Sequence, residues 1–408
     1  MTFQWEPNMR LSHLPCPALL CLVLISLSPT LSLPDEPAIR SELVFPLHPQ
    51  HNHAPGVAEL PNGDLFCSWY RGSGERSADD VAIYGARLKK GATTWSDAEV
   101  LHDTPGFPDC NTCLMVDNKG KLFLFWPVII ANSWESCLTH YKVATKLDGD
   151  GAPNWDHHET IYLKPNDFRE KAEAQLQKLT SLLPAALMTD RAKKELADAK
   201  DKLGQKLYQR LGWQPRCKPT VLSTGRILLP LYTDTFSISI MAISDDGGET
   251  WKASEPLMGF GAIQPSVLEK KDGTLVAHMR ENGFTGKIRT CESKDQGMTW
   301  GEVGMSTLAN PGSGLDAVKL QSGNWLLIYN DTTKGRHQLA VSLSEDEGAT
   351  WGWTRHLEKM PEGGGSFHYP AIIQAKDGGI HAVYSYFVKE GKSMKHARFT
   401  EEWLKAGE

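Results

Sequence analysis

Ser244–Trp251 reads SDDGGETW, and the same frame returns as SKDQGMTW at Ser293–Trp300 and SEDEGATW at Ser344–Trp351. All three obey Ser-x-Asp-x-Gly-x-Thr-Trp, and their tryptophans fall about 50 residues apart, a period that belongs to repeat architectures. Each copy follows an alternating apolar stretch, such as SISIMAIS or RHQLAVSLS, and so closes a β-strand. The chemistry is that of a turn. Asp accepts backbone N–H groups, Gly supplies a positive φ, Thr returns the chain to extended form and Trp covers the apolar base of the hairpin. A row of acidic ligands for a metal or a sugar is the competing use of the same residues.

A second repeat runs in phase with the first. It reads HAPGVAELPNGDLFCSWY from His53, CNTCLMVDNKGKLFLFWP from Cys110, CKPTVLSTGRILLPLYT from Cys217, IQPSVLEKKDGTLVAHMRE from Ile263, LDAVKLQSGNWLLIYND from Leu315 and HYPAIIQAKDGGIHAVYSY from His368. In each copy a short apolar strand passes through a Gly-containing turn into a second apolar strand. Degenerate Trp turns, LKKGATTW ending at Trp95 and LDGDGAPNW ending at Trp155, complete the first two units. Six units of about four short strands, none able to bury both faces alone, predict an all-β fold, a six-bladed β-propeller. The sixth unit lacks the octapeptide, so the strand around SELVFPLHP is expected to complete it and close the ring.

One segment, from Asn166 to Leu211, breaks the rhythm. It is rich in Ala, Leu, Lys and Glu, carries Leu196, Leu203, Leu207 and Leu211 on one helical stripe, and is divided by Pro184. It predicts a helical hairpin inserted into the propeller (residues 166–211), as a buttress on the rim or a lid over the site.

The chain of 408 residues is 40% hydrophobic with a formal net charge of −6, and it has no long basic run, which argues against nucleic acid as a partner. Residues 1–32 have the layout of a secretory signal peptide: Arg10, the apolar run PALLCLVLISLSPTLSLP, and small residues Thr30 and Ser32 near a cleavage point. No later segment is apolar enough to span a bilayer, so an exported protein, periplasmic or extracellular, with no membrane span is expected, running from residue 33 to 408. Beyond the leader stand Cys67, Cys110, Cys113, Cys137, Cys217 and Cys291, as disulfides or structural thiols; CNTC lacks the second pair that a metal site would need. No metal and no cofactor is indicated, since HNH at 51–53 has no third ligand in sequence, although Asp316 or Glu75 could supply one through space.

Residues entering the first strand of each blade crowd one mouth of the axis. Aligning the six copies places Ala54, Asn111, Lys218, Gln264, Asp316 and Tyr369 at one equivalent position, with His51 and His53 entering the first blade beside them. A funnel of this polarity is a ligand site rather than core. Arg71 and Glu75 in WYRGSGE pair with each other or with a ligand.

The octapeptides resemble the Asp-boxes of the sialidase superfamily, and HNHAPGVAELPNGDLFCSWYRGSGE, NPGSGLDAVKLQSGNWLLIYND and YPAIIQAKDGGIHAVYSY resemble its bacterial BNR-repeat branch. The resemblance covers nearly everything after the leader except the helical insert, and it implies a six-bladed propeller and carbohydrate chemistry. In that superfamily three Arg clamp the substrate carboxylate, an Asp is the acid/base, and a Tyr assisted by a Glu is the nucleophile. A neutral Tyr suits an anionic sugar, which would repel a carboxylate. Carried over, the third Arg falls on Arg336, the second on Arg289 with Arg280 as its rival, the acid/base on Asp79 or Asp80, and the Tyr on Tyr384. The chain departs at two positions, having His53 where the first Arg stands and Gln264 where the Glu begins the fourth blade.

The resemblance therefore implies a secreted exo-glycosidase that releases a terminal acidic sugar from a glycan. Two other readings stand beside it. One is a lyase acting on uronic acids, in which Lys218 or an Arg neutralises the carboxylate and His51 or His53 takes the α-proton. The other is a glycan-binding propeller without turnover, motivated by His53 and Gln264. His53 is expected to serve as a carboxylate contact or as a general base titrating near its ordinary value.

Overall fold

A computed structural model describes residues 39–407 apart from 183, 185–187 and 284; the leader and its Cys16 and Cys21 lie outside the described residues. The chain first lays down β1 (Arg40–Leu43) and then builds six antiparallel sheets in sequence order. Blade 1 holds β2 (His51–Glu59), β3 (Leu65–Gly72), β4 (Ala82–Leu88) and β5 (Glu99–His102), and blade 2 holds β6 (Cys113–Val116), β7 (Leu122–Ile129), β8 (Cys137–Ala144) and β9 (His157–Thr160). Blade 3 follows three helices, α1 (Phe168–Leu182), α2 (Asp190–Gly204) and α3 (Lys206–Arg210). It comprises β10 (Gln214–Pro215), β11 (Thr220–Val221), β12 (Ile227–Thr233), β13 (Ile238–Ser244) and β14 (Lys252–Ala253). Blade 4 is β15 (Ala262–Glu269), β16 (Leu275–Glu281), β17 (Lys287–Ser293) and β18 (Gly304–Ala309), and blade 5 is β19 (Asp316–Lys319), β20 (Trp325–Tyr329), β21 (Gln338–Ser344) and β22 (Trp353–Lys359). Blade 6 has β23 (Ser366–Gln374), β24 (Ile380–Val388) and β25 (Gly391–Phe399), followed by α4 (Glu401–Lys405). Its fourth strand is β1, paired antiparallel to β25 with Arg40 opposite Arg398 and Leu43 opposite Lys395. The fold is a six-bladed β-propeller, closed by the strand that the sequence pattern assigns to that task.

The octapeptides are hairpin staples. Each begins on the last residue of a blade's third strand: Ser244, Ser293 and Ser344. In the first, Asp246 Oδ1 accepts from Ser244 Oγ at 2.8 Å, from Glu249 N at 3.1 Å and from Thr250 N at 3.0 Å. Asp295 and Asp346 accept from Ser293 and Thr299, and from Ser344 and Thr350, in the same way. Trp251, Trp300 and Trp351 each pack against a hydrophobic cluster. Both oxygens of each Asp accept hydrogen bonds within the turn, which is the work of a staple.

The core lies between adjacent blades. Phe123 and Phe125 of blade 2 pack with Leu229, Leu231 and Ile240 of blade 3, and the insert joins them through Phe168, Ala172, Leu176 and Leu203. Burying each such large apolar side chain contributes roughly 1.5–3 kcal/mol, so this face anchors the helices as a buttress on the blade 2–blade 3 seam. The expected leucine stripe holds only in part. Leu203 is buried and Leu196 packs beside it, but α2 stops at Gly204, Gln205 is extended, and Leu207 turns outward at 51% exposure.

Cys67, Cys110, Cys113, Cys137, Cys217 and Cys291 are all free and buried. No disulfide forms within CNTC because Cys110 packs among the side chains between blades 1 and 2, whereas Cys113 packs between blades 2 and 3.

Candidate functional site

At the mouth of the axis the inner strands share a distortion. Pairing with the second strand slips between His53 and Gly56, between Ile263 and Ser266, and between His368 and Ala371. The residue at each slip is left-handed: Ala54 at φ 54°, Gln264 at 56° and Tyr369 at 52°, with Asn111 at 40° in blade 2. For residues that are not Gly this costs roughly 1–2 kcal/mol each, and three of the four also precede a Pro, where extended backbone is preferred. Strain repeated at one level of the ring singles that level out as the candidate site.

The sequence alignment puts these four residues at one position, and the backbone agrees. It errs for Lys218 and Asp316. Aligned on the turn after each inner strand, they come level with Ser266, and the residues level with Gln264 are Arg216 and Gly314. The cause lies in the anchors used: blade 3 has a second x-Pro pair, Gln214-Pro215, upstream of Lys218-Pro219, and blade 5 has no Pro there. Lys218 and Asp316 instead plug the axis below the mouth. Their ion pair is 2.7 Å long, and Asp316 also accepts from Ser266 Oγ at 2.8 Å and from Ile372 N at 3.0 Å, tying four blades together. Gly314 is required where it stands, because a Cβ there would lie 2.9 Å from the Tyr369 ring and 3.0 Å from Gln264 Oε1.

Tyr369 is the centre of the site. Its hydroxyl accepts from Gln264 Nε2 at 3.1 Å and from Arg280 Nη1 at 3.0 Å. Its ring stacks on His53 with centroids 4.3 Å apart, and the Arg216 and Arg336 guanidinium carbons lie 4.7 and 5.8 Å from its centroid. Arg336 is held by the Gly312 carbonyl at 3.0 Å and Arg216 by the Pro370 carbonyl at 2.8 Å. Three guanidinium groups thus converge on one phenol, a concentration of positive charge suited to a carboxylate. Across the mouth, Asn111 donates to Gln214 Oε1 at 3.0 Å, and Gln214 donates to Asp234 at 2.9 Å.

His53 is buried, with Nδ1 2.7 Å from Ser385 Oγ, which also accepts from Ala54 N at 3.1 Å. Burial first, then the neighbouring His368, His51, Arg336 and Arg216, push its pKa well below the ordinary histidine value. His53 is therefore neutral near pH 7 and cannot supply the positive charge of a missing Arg; it acts as a flat wall against Tyr369. His368 is buried beside it, with centroids 4.8 Å apart, and is depressed for the same reason.

One acidic residue of the loop after β3 reaches the mouth. Glu75 Oε1 accepts from the Tyr70 hydroxyl at 2.9 Å and lies 3.2 Å from His51 Nε2. Burial raises the Glu75 pKa, but the hydrogen bonds from His51 and Tyr70 and the charges of His51 and Arg76 outweigh it, so the carboxyl ends below its usual range. Asp79 and Asp80 are exposed and shape that loop: Asp80 accepts from Ser73 N at 3.0 Å and Ser73 Oγ at 2.8 Å, and Asp79 from Asn132 Nδ2 at 2.8 Å. Among the described residues no set of three or more His, Cys, Asp or Glu is placed to hold a metal ion.

Three further residues singled out in the sequence stand away from this cluster. Arg289 pairs with Glu281 at 3.2 Å within blade 4, so Arg280, one strand inward, is the arginine at the mouth. Arg71 lies between the Phe45 and Tyr84 rings, at 4.7 and 4.6 Å, and donates to Asn52 at 2.7 Å rather than to Glu75. Tyr384 is fully buried and donates to Glu358 at 2.6 Å. The superfamily pattern asks for a Tyr beside the residue that begins blade 4, and Gln264 touches Tyr369, not Tyr384. Arg216, Tyr70, His368 and Ser385 went unnoticed in the sequence. Arg216 lay hidden behind the better-looking Cys-Lys-Pro that follows it, and only the adjacency of Tyr70 to Arg71 and of Ser385 to Tyr384 pointed toward the other strands.

Residues 214–382 match the family model described as a BNR repeat-like domain. A sialidase of Micromonospora viridifaciens is 24% identical over 176 residues, and a sialidase of Bacteroides fragilis is 32% identical over 196 residues. These alignments take in 41% and 45% of this chain but only 26% and 34% of those enzymes, so the chain spans about a third or less of the relatives it matches. Among solved structures, a protein of unknown function from Dyadobacter fermentans superposes with a TM-score of 0.66 at 17% identity, covering 89% of this chain and 99% of that one. The chain is a six-bladed propeller whose residues 214–382 are similar to a BNR repeat-like domain and which has sialidases among its relatives. Within it the octapeptide turns and the axial plug are scaffold, and the mouth around Tyr369 is the candidate site.

Proposed function

We propose that this sialidase-like propeller is an exported exo-glycosidase that removes a terminal acidic sugar from a glycan. The observation that supports it is the convergence of Arg216, Arg280 and Arg336 on Tyr369 at the strained level of the ring. Arg280 and Arg336 grip the sugar carboxylate. Tyr369 gives its phenolic proton to water at the mouth and its oxygen attacks the anomeric carbon, with Gln264 and Arg280 as the two donors that stabilise the negative charge on it. As the glycosidic C–O bond breaks, His51, oriented by the ionised Glu75, gives its proton to the departing oxygen. Water then releases the sugar from Tyr369. Export rests on the leader composition at residues 1–32, and buried thiols suit it because they are shielded from oxidants.

Elimination on a uronic acid is the second reading, and Gln264 favours it. An amide beside Tyr369 cannot take the phenolic proton but can donate a hydrogen bond to a carboxylate. The test is a panel of glycans capped with sialic or uronic acids, incubated with purified protein and with Tyr369→Phe and Arg336→Met variants, with products read by mass spectrometry. A released saturated acidic sugar, lost in both variants, is expected. A product lighter by one water with a new ultraviolet absorbance assigns the lyase, and binding with no time-dependent product overturns both.

A further inference from the structure

We propose that the helical insert is a positioning device for the acid side of the mouth. Through an ion pair between Lys202 and Glu135 it holds the loop after β7, and through that loop it holds the one after β3 that carries Glu75. The inference rests on the glycosidase reading, which gives Glu75 the task of orienting His51.

The two loops occupy the same place in neighbouring blades, joining second strand to third on the face where the mouth opens. Loop 130–136 grips loop 73–81 from the side. Asn132, left-handed at φ 51°, donates from Nδ2 to the Arg76 carbonyl at 3.1 Å and to Asp79 Oδ1 at 2.8 Å. The Arg76 guanidinium carbon lies 5.5 Å from the Trp134 ring centroid, and Trp134 and Ala78 pack against the same hydrophobic cluster. Arg76 thereby links Trp134 to the carboxylate: its Nη1 is 3.6 Å from Glu75 Oε2, while Glu75 Oε1 faces Tyr70 and His51.

Loop 130–136 is at the surface and is tightened from within by bonds from Ala131 N to Ser136 Oγ and from Ser136 N to Ser133 O, each 2.9 Å. The insert meets its outer side. Lys202, in the last turn of α2, reaches Glu135, and its Nζ also lies 4.9 Å from the Tyr208 ring centroid. Leu203, the next residue, is buried between blades 2 and 3, so the lysine projects from a fixed base. Where the insert rejoins the sheet, Gly212 N donates to Cys137 O at 3.0 Å, and a Cβ on Gly212 would lie 3.3 Å from the Glu135 carbonyl oxygen. The Lys202 and Glu135 side chains remain 35% and 33% exposed, so the pair adds little to global stability. Its effect is local, on a surface loop, where a small displacement of the acid slows the reaction strongly.

The experiment compares the wild-type chain with Lys202→Glu, Glu135→Lys and the double charge swap. Hydrogen exchange at residues 73–81 is read by mass spectrometry without substrate, and kcat is measured on sialic and glucuronic acid, each linked either to lactose or to 4-methylumbelliferone. The aryl oxygen departs without a proton, whereas the lactose oxygen needs one. Each single variant is expected to raise exchange at 73–81 at least about threefold and to lower kcat on the lactose glycoside at least about fivefold, with the aryl glycoside within about twofold of wild type and both effects reversed in the charge swap. Exchange unchanged by the single variants, kcat unchanged on the lactose glycoside, or equal losses on both leaving groups overturns the proposal. A wild type that cleaves none of the four substrates refutes the glycosidase reading instead, and the exchange result with its rescue then decides the coupling alone.

Discussion

Gln264 and Tyr369 form the pair on which the chemistry of the mouth turns, and exchanging one atom of it separates the two reactions. With Gln264→Glu, a carboxylate is placed where it can take the Tyr369 proton, so a hydrolase working through Tyr369 gains at least about tenfold in kcat, or ~1.4 kcal/mol. A lyase loses by a similar factor, because the new charge faces the substrate's own carboxylate; initial rates on the same glycan decide the sign. Tyr384→Phe carries the opposite expectation. It removes the bond to Glu358 in the blade core, costs about 1–2 kcal/mol in a denaturant melt, and leaves turnover unaltered. Part of the candidate site was legible at this scale, because Gln264 and Tyr369 stand at one position of the blade repeat, while Arg336, and Arg280 as a rival to Arg289, came through the superfamily resemblance. What stayed hidden depended on which face of a strand a residue occupies. Arg280 and Arg289 are nine positions apart in sequence yet sit on neighbouring strands, one facing the axis and one facing Glu281, and sequence spacing alone does not choose between them.

At the scale of the element, the Asp-box turn explains its own conservation of form within the chain. Hydrogen bonds from Thr250 and Thr350, side chain and backbone, hold Asp246 and Asp346 down to about 2. A folded value below the unfolded one contributes stability above roughly pH 4, which fades as pH falls toward 2. Asp346→Ala is expected to cost about 1 kcal/mol at pH 7, as loss of a helix-cap carboxylate does, and to cost nothing further near pH 2; urea midpoints at the two pH values test it. These turns were readable because every contact in them is local. The helical insert was readable as helix for the same reason, but the extended backbone at Gln205 that turns Leu207 outward is set by packing on blades 2 and 3, which no periodicity records.

For the whole molecule, the blade count followed from periodicity and the closing strand from the missing sixth octapeptide, whereas the free thiols reflect how neighbouring blades divide CNTC between two packing clusters. The buried histidines make the ring sensitive to mild acid. His53 and His368 lie well below their ordinary value, and His102, His140, His278 and His381 fall to about 3, 4, 4 and 3. Since each folded value is below the unfolded one, the unfolded chain binds more protons, and each histidine removes up to about 1.4 kcal/mol per pH unit as pH drops below about 6.5. Denaturant stability is expected to decline steadily from pH 7.5 to 5, well before the Asp-box carboxylates begin to titrate; a flat profile contradicts the neutral state assigned to these groups. The pairing of β1 with β25 sets a clock on biogenesis. The oldest strand of the ring waits for its youngest, so during synthesis an emerging chain carries an unmatched edge at each end until Phe399 has left the ribosome. A chain that closes so late is exposed for longer to chaperones, proteases and strand exchange with a sibling chain.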